Sequence, residues 1–366
     1  MPVLLGKLRG FGRALLVGVL RLLLPLSGDE VPVDPKTVHS VLVIRTDDRV
    51  GNLLLTTPLL AALREGLPHA RLGLLCAARR APAIEGTGLY DELWPFEKRD
   101  FFVRPWRFVA FCLRLRRARY EVAIEAGHWH AFSFTAGALA LWSGARVRVG
   151  HRRGESARLL THAVAKDPAV TYDPESKLEL LRPLGLAPTA RPPLATRLGE
   201  ASRRRFEELF ARRPVLLVNP GGRKADHRWS ADAFAAAARA VAAKLALDVW
   251  IAWGPGEEAI ACEVEALTPG ARRLPPTNLE ELAGALRAAA LVITNDTGPM
   301  HLSVAVGTPT LAVVLTGDWR RWAEPGPRLG AVPVQGLSES EAAAKIAEAG
   351  AALLEAGRGS AAASHA

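Results

Sequence analysis

The chain has 366 residues, 49% of them hydrophobic and 23% charged, which fits ordinary globular domains and excludes disordered, collagenous and coiled-coil classes. Its three cysteines, Cys76, Cys112 and Cys262, stand far apart with no C-x-x-C pair, so neither a disulfide scaffold nor a cysteine zinc site is expected. The 47 basic residues against 37 acidic ones leave a net charge of +10, which favours anionic partners such as phosphorylated ligands, acidic lipid head groups or nucleic acid.

Residues 1–36 read as a basic amphipathic segment. Lys7, Arg9, Arg13 and Arg21 stand there without an acid before Gly28, and Arg21 splits the apolar runs Ala14–Leu20 and Leu22–Leu26. No run reaches the roughly 18 to 20 apolar residues of a spanning helix. No A-x-A cleavage signal follows, so the segment is expected to lie in a membrane interface or to fold back on its own protein.

From Val41 onward, short β-branched runs alternate with helical stretches rich in alanine and leucine. The expected strands are Val41–Ile44, Leu72–Leu75, Glu121–Ile124, Val215–Val218, Val249–Ala252, Leu291–Thr294 and Thr310–Val314. Such alternation predicts parallel sheets with right-handed crossovers. The proline-rich stretch Ala187–Leu194 reads as a linker, dividing the chain into an α/β domain at 37–190 and a second at 191–337. Residues 338–366 are expected to form a last helix, Glu339–Leu354, and a frayed tail from Gly357.

Ligands of doubly wound sheets sit beyond the carboxyl ends of strands, at the switch point of strand order, so residues just after strands carry the functional signal. After Val41–Ile44 comes Arg45 and the polar loop Thr46–Asn52. Asp47 and Asp48 are adjacent and point opposite ways in an extended segment, which makes a poor metal clamp but offers one inward carboxylate as a candidate base. Two histidines, His128 and His130, flank Trp129 after another strand; without a third ligand they do not make a metal site and are candidates for the acceptor side only.

After Val215–Val218 come Asn219, Pro220, Gly221 and Gly222, a backbone able to approach a ligand closely, then Arg223, Lys224, His227 and Arg228. Two glycines followed by clustered bases suit a diphosphate, while a P-loop and a dinucleotide fingerprint are both absent. The loop after Val249–Ala252 offers Glu257 or Glu258 to ribose hydroxyls, or as plain helix-start carboxylates. The most specific segment is ALVITNDTGPMHLSVAVGTPT, where Asp296, Thr297 and Gly298 follow a buried strand and Pro299 suits the first helical position. Free backbone N–H groups at such a helix start bind phosphate, with His301 in the first turn. Asp296 alone reads as a cap and His301 alone as a core histidine; their combination points to function.

The motifs VLVIRTDDRVGNLLLTTP, NPGGRKADHRW, GPGEE and TNDTGPMHLSVAVGTPT, in this order, resemble those of glycosyltransferase family 9, the heptosyltransferases of lipopolysaccharide core. The resemblance spans about Val41 to Glu355. It implies a GT-B fold, two Rossmann-like doubly wound domains facing across a cleft, with the acceptor on the N-terminal domain and a nucleotide sugar, typically ADP-heptose, on the C-terminal one. It implies inverting transfer without a metal or other cofactor, and a C-terminal helix packing back on the first domain. By motif, Asp296, Thr297, Gly298 and His301 would hold the diphosphate, with Gly221, Gly222, Lys224 and Arg228 on the phosphate side and Glu257 or Glu258 at the ribose or adenosine. Two departures stand out. The family usually reads Gly-Asp, with the Asp as base, where this chain has Gly51-Asn52; the loop is one residue longer, which makes Asp48 the expected base beside Asn52. A lysine usual in the second loop is replaced by His227.

The resemblance thus implies transfer of a sugar to a phosphorylated, lipid-linked glycan at the cytoplasmic face of the inner membrane. The stretch Glu97–Arg119 fits an anionic membrane surface, with eight basic residues against Glu97 and Asp100 and five interleaved aromatic residues. Nucleic acid would use only that patch and none of the loops after strands, so it is not an expected partner. A different nucleotide-sugar donor, or a non-catalytic nucleotide- or glycan-binding protein, remain alternatives.

Overall fold

The computed structural model describes residues 33–153, 158–222, 228–315 and 317–363, with side chains to residue 357. The basic segment expected over 1–36 therefore lies almost wholly outside the described residues, as do Lys224 and His227.

Six strands form the first sheet: β1 (Ser40–Arg45), β2 (Arg71–Ala77), β3 (Glu92–Phe96), β4 (Val122–Glu125), β5 (Val147–His151) and β6 (His162–Val164). Their order is β3-β2-β1-β4-β5-β6. The second sheet holds β7 (Val215–Asn219), β8 (Asp248–Ile251), β9 (Arg272–Arg273), β10 (Leu291–Asn295), β11 (Thr310–Val314) and β12 (Leu329–Pro333), ordered β12-β11-β10-β7-β8-β9. Every strand pairing within the two sheets is parallel. Each sheet reverses its winding once, between β1 and β4 and between β7 and β10. Two doubly wound domains of this kind make the GT-B arrangement. The central strands are buried end to end, as parallel strands covered on both faces must be.

The helices of the first domain are α1 (Val50–Leu54), α2 (Thr57–Gly66), α3 (Asp100–Val103), α4 (Pro105–Arg117), α5 (Phe134–Trp142) and α6 (Asp173–Leu178). Those that follow are α7 (Glu200–Leu209), α8 (Ala231–Leu245), α9 (Glu258–Ala266), α10 (Leu279–Ala288), α11 (Gly298–Ala305) and α12 (Glu339–Ala363). Between α6 and α7 the chain crosses from one sheet to the other through residues 185–199, which carry no helix or strand. The expected linker Ala187–Leu194 lies within that crossing. Its far end is stitched to the first domain: Ala195 N–H donates to Thr57 Oγ1 at 2.9 Å and Arg197 N–H to the Ala83 carbonyl at 3.1 Å.

One apolar core runs without a break from Val41, Leu72 and Val122 of the first sheet to Val215, Leu217 and Val292 of the second. The domains meet where α1 lies against α11. A Cβ on Gly298 would stand 2.7 Å from Val50 Cγ1, and one on Gly51 would stand 2.5 Å from His301 Cδ2, so only glycine fits at either position without displacement.

The last helix departs from expectation twice. It continues to Ala363 instead of fraying at Gly357. It also packs on α8, β11 and β12 of the second domain, not back on the first. Its small-residue stripe explains this choice. Ala342, Ala343, Ile346, Ala347 and Leu353 join the core of Leu216, Val218, Phe234 and Ala238, and a Cβ on Gly350 would touch Leu291 at 3.1 Å. Small residues on both helices allow the close approach that buries Ile346 fully. Ile346→Ala is expected to cost about 2–5 kcal/mol of second-domain stability through transfer and cavity terms. Urea unfolding followed by tryptophan fluorescence checks this, and an unchanged midpoint would show that α12 is not seated in that core.

Candidate active site

At the second switch point the site is held by a buried amide. Asn295, the last residue of β10, donates from Nδ2 to the carbonyls of Pro220 (2.9 Å) and Gly221 (3.0 Å), and its Oδ1 accepts from Trp229 N–H at 3.1 Å. It thereby fixes both ends of the loop after β7 against the loop after β10. Such a group is costly to lose, since each buried partner left unpaired costs about 1–3 kcal/mol. Asn219 supports the arrangement by donating to the Ala252 carbonyl at 3.3 Å.

Around this amide the sequence candidates converge. A Cβ on Gly221 would collide with the Glu257 carboxylate, and one on Gly222 would stand 2.9 Å from Arg228 Cγ and 3.4 Å from Thr297 Cγ2. Glu257 Oε2 accepts from Gly254 N–H at 3.0 Å, which aims its carboxylate at the glycine pair. Glu258 instead turns to Arg273, 3.5 Å away on the exposed side, so it is the one of the two acids that leaves the site. Thr297 caps α11 with an extended backbone and no side-chain capping bond, its hydroxyl donating instead to the Asn295 carbonyl at 3.3 Å. Pro299 occupies the first turn, so the first-turn donors are not consumed by a capping side chain. Asp296 is half-buried with no hydrogen-bond partner among the described residues, and desolvation pushes its pKa up to about 7.

At the first switch point a second cluster forms. Arg45 ends β1 almost fully buried, and its guanidinium donates to the Ala126 carbonyl (2.6 Å) and to His128 Nε2 (2.7 Å) and meets Asp47 at 2.6 Å. The other oxygen of Asp47 accepts from Asn52 Nδ2 at 2.7 Å. Asp48 points the opposite way and is held by Arg79 (3.1 Å) and Arg80 (2.9 Å), so the expected base is already engaged by two guanidinium groups. The acid that meets Asn52 is Asp47, whereas Asp48, the expected base, faces the two arginines.

Beneath Asp47 lies a network that the sequence reading did not find. His128 Nδ1 meets Asp173 at 2.8 Å, Asp173 pairs with Lys177, and Glu125 pairs with Arg153. Burial, and then the charges of Arg45 and Lys177, hold His128 far below its ordinary pKa. A neutral ring accepting from Arg45 at Nε2 carries its proton on Nδ1 and donates it to Asp173. Burial also raises Glu125 to about 7 despite Arg153 and Arg45.

The halves touch at two places beside this cluster. Gly51 lies under the His301 ring, which burial and then Lys177 hold neutral, with a pKa near about 3. Trp322, after β11, sets its ring against His128 (4.9 Å) and His130 (5.8 Å), while Arg321 covers Trp129 at 5.0 Å. His128 and His130 themselves stack at 5.2 Å. The structure therefore brings together Asn52, Gly221, Gly222, Arg228, Glu257, Asp296, Thr297, Gly298 and His301, and sets Asp48 and Glu258 apart. Among the described residues no three His, Cys, Asp or Glu side chains gather as a metal-holding group. The residues missed were Arg45, Asp173, Lys177, Asn295 and Trp322, while Asp47 was one of two adjacent carboxylates of which one was expected to face inward. A charged residue ending an apolar strand was the one available signal, at Arg45.

A sequence model described as glycosyltransferase family 9 (heptosyltransferase) matches residues 108–342. Lipopolysaccharide heptosyltransferase 3 of Escherichia coli K12 is 24% identical over 293 residues, covering 75% of this chain and 83% of the relative. Among solved structures, a family 9 glycosyltransferase from Veillonella parvula superposes with a TM-score of 0.75 at 18% identity, covering 89% of this chain and 99% of that one. The E. coli heptosyltransferase WaaC with ADP does so with a TM-score of 0.69 at 19% identity, covering 85% and 99%. At these identities the structures speak for the fold.

The raised pKa of Asp296 has a measurable sign. Its carboxyl titrates near 3.8 when unperturbed and near about 7 in the folded chain, so folding favours the protonated form. The stability this group contributes is complete below about pH 4 and falls as pH rises through about 7. Asp296→Asn removes that loss. Urea midpoints of the variant and the parent should diverge in favour of the variant between pH 4 and pH 7, while other titrating groups, His301 among them, cancel in the difference. Parallel profiles would contradict the assignment.

Proposed function

The chain belongs to glycosyltransferase family 9, the heptosyltransferase family, and from that premise we propose that it moves a heptose from ADP-heptose to a lipopolysaccharide-core or related lipid-linked acceptor at the cytoplasmic face of the inner membrane. The observation that carries the reading is the union of a helix start without a side-chain cap, a double-glycine turn and a partly buried carboxylate–amide pair across one cleft.

The chemistry follows from charge. Breaking the bond between the anomeric carbon and the diphosphate oxygen leaves an electron pair, and a growing negative charge, on ADP. Backbone donors at the start of α11 and along Gly221–Gly222, with Arg228 beside them, are preorganised to receive that charge. Lys224 and His227 are the further cations that the sequence offers on this loop. Glu257 is the acid for the ribose hydroxyls, since it faces the glycine pair and Glu258 does not. This set of donors and cations supports transfer without a metal ion.

The acceptor hydroxyl must lose its proton as its oxygen attacks the anomeric carbon from the face opposite the diphosphate. We assign that proton to Asp47. Arg45 and Asn52 hold its two oxygens and orient the carboxylate at the mouth of the first switch point, so Asn52 acts as a positioning residue where the family usually has the acid itself. One in-line displacement inverts the anomeric centre and needs no covalent sugar–enzyme intermediate. The rings of Trp129, His130 and Trp322, with Arg321 and Lys166 over Trp129, offer stacking faces and cations to a phosphorylated sugar acceptor.

Asp47→Asn should lower kcat by about 10²- to 10⁴-fold, whereas Asp48→Ala should leave turnover within a few-fold; steady-state assays with ADP-heptose and a deacylated core acceptor decide, and the reverse ranking would return the base to Asp48. In calorimetric titrations ADP should bind more tightly than UDP or GDP. Glu257→Ala should weaken ADP about ten-fold or more through loss of charge-assisted hydrogen bonds. Preference for UDP or GDP would overturn the donor assignment.

A further inference from the structure

Helix α4 is amphipathic twice over. Phe108, Phe111, Cys112 and Leu115 face inward and pack with Leu42, Ile44, Trp94 and Phe96, which supplies the apolar stripe a sheet-covering helix requires. The opposite face carries Trp106, Val109, Ala110 and Leu113, again at i, i+3, i+4 and i+7, and none of these is covered. With Phe101, Phe102 and Val103 of α3, the large side chains on this surface are 44% to 77% exposed. Phe101 stacks edge-on to Phe102 (4.9 Å) and to Phe108 (5.1 Å), so α3 is fastened to α4 and the patch is continuous. Monomers seldom leave such a surface to water.

Charge selects the occupant. Lys98, Arg99, Arg107, Arg114, Arg116 and Arg117 are exposed around the apolar stripe. Arg107 and Arg114 line one side of it and Arg116 the other. A second copy of the same surface would set arginines against arginines, which opposes self-association. An anionic bilayer instead takes the rings into its head-group zone and the guanidinium groups onto its phosphates. Among the described residues no helix is long and apolar enough to cross a membrane, so the contact is peripheral. Because α3 follows the carboxyl end of β3, the patch stands at the same edge of the first sheet as the loop after β1.

We propose that the outer face of α3 and α4 is a membrane-docking surface that inserts Phe102 and Trp106 into an anionic lipid interface and so presents the acceptor side of the cleft to the bilayer. This deepens the proposed function by naming where a lipid-linked acceptor would approach, but its test reads lipid binding and not turnover.

The full chain would be floated with vesicles of phosphatidylcholine alone or mixed equally with phosphatidylglycerol. The parent should bind the anionic vesicles about ten-fold or more tightly than the neutral ones, less so at high salt. Phe102→Ser with Trp106→Ser, and separately Arg107→Glu with Arg117→Glu, should each lower that binding about ten-fold or more. Far-UV circular dichroism and the urea midpoint should stay as in the parent, and ADP affinity should not change. Flotation of both variants at the parent's level would overturn the proposal and move lipid contact to residues 1–32. Equal binding to both vesicle types, or none, would also overturn it. So would a concentration-dependent dimer in sedimentation that the aromatic variant abolishes, since the patch would then be a self-interface. If ADP fails to bind while anionic vesicles are still bound through the patch, the donor assignment fails and the docking surface stands.

Discussion

Two helix starts share one crevice, and no side chain separates them. Gly51 near the start of α1 lies against His301, and Gly298 at the start of α11 lies against Val50. This contact sets how the two halves of the site meet. It fixes the distance between the sheets and aims the positive ends of both helices at common ground. It also brings the Asp47–Asn52 pair of one domain beside the Asp296–His301 turn of the other. Two like-signed helix ends repel, so the crevice gains from holding an anion. Glycine at both positions is the condition for that geometry.

Burial decides the charge states around the crevice. His301 and His128 lose their protons to desolvation, while Asp296 and Glu125 are pushed towards keeping theirs. The direct pairs are Arg45 with Asp47, Lys177 with Asp173, and Arg153 with Glu125, and burial pulls Lys177 well below its ordinary pKa as well. Buried pairs of this sort contribute little net stability, because desolvation offsets most of their attraction. Their effect here is orientation. Arg45 and Asn52 hold both oxygens of Asp47, and Asp173 sets the tautomer of His128.

Much of this was legible in the sequence. The strands found in advance, β1, β2, β4, β7, β8, β10 and β11, are the central or near-central ones, where burial on both faces leaves an unbroken apolar run. The missed strands lie away from the switch points. β3 carries Pro95, which only an edge tolerates, and β9 has two residues. β5 hides Arg148, whose guanidinium finds the carbonyls of Ala145 and Leu159, a satisfaction that no local pattern shows. In the site, motifs located the loops, and alternation required that one of Asp47 and Asp48 face inward. Which one was a matter of where Arg45 and the Arg79–Arg80 pair lie, and those are tertiary facts. In sequence Asp173 and Lys177 are no more than an acid and a base four residues apart, and only the fold buries them.

The seat of the last helix has a further consequence. Because α12 stays on the second domain, the described backbone passes between the domains once, through residues 185–199. Each half of the described chain is therefore one continuous stretch of polypeptide. A single recombination junction in that crossing exchanges one half whole, with no second cut to keep in register. A new first half can then be tried against an unaltered second half, provided that the incoming partner brings a glycine to stand where Gly51 meets His301.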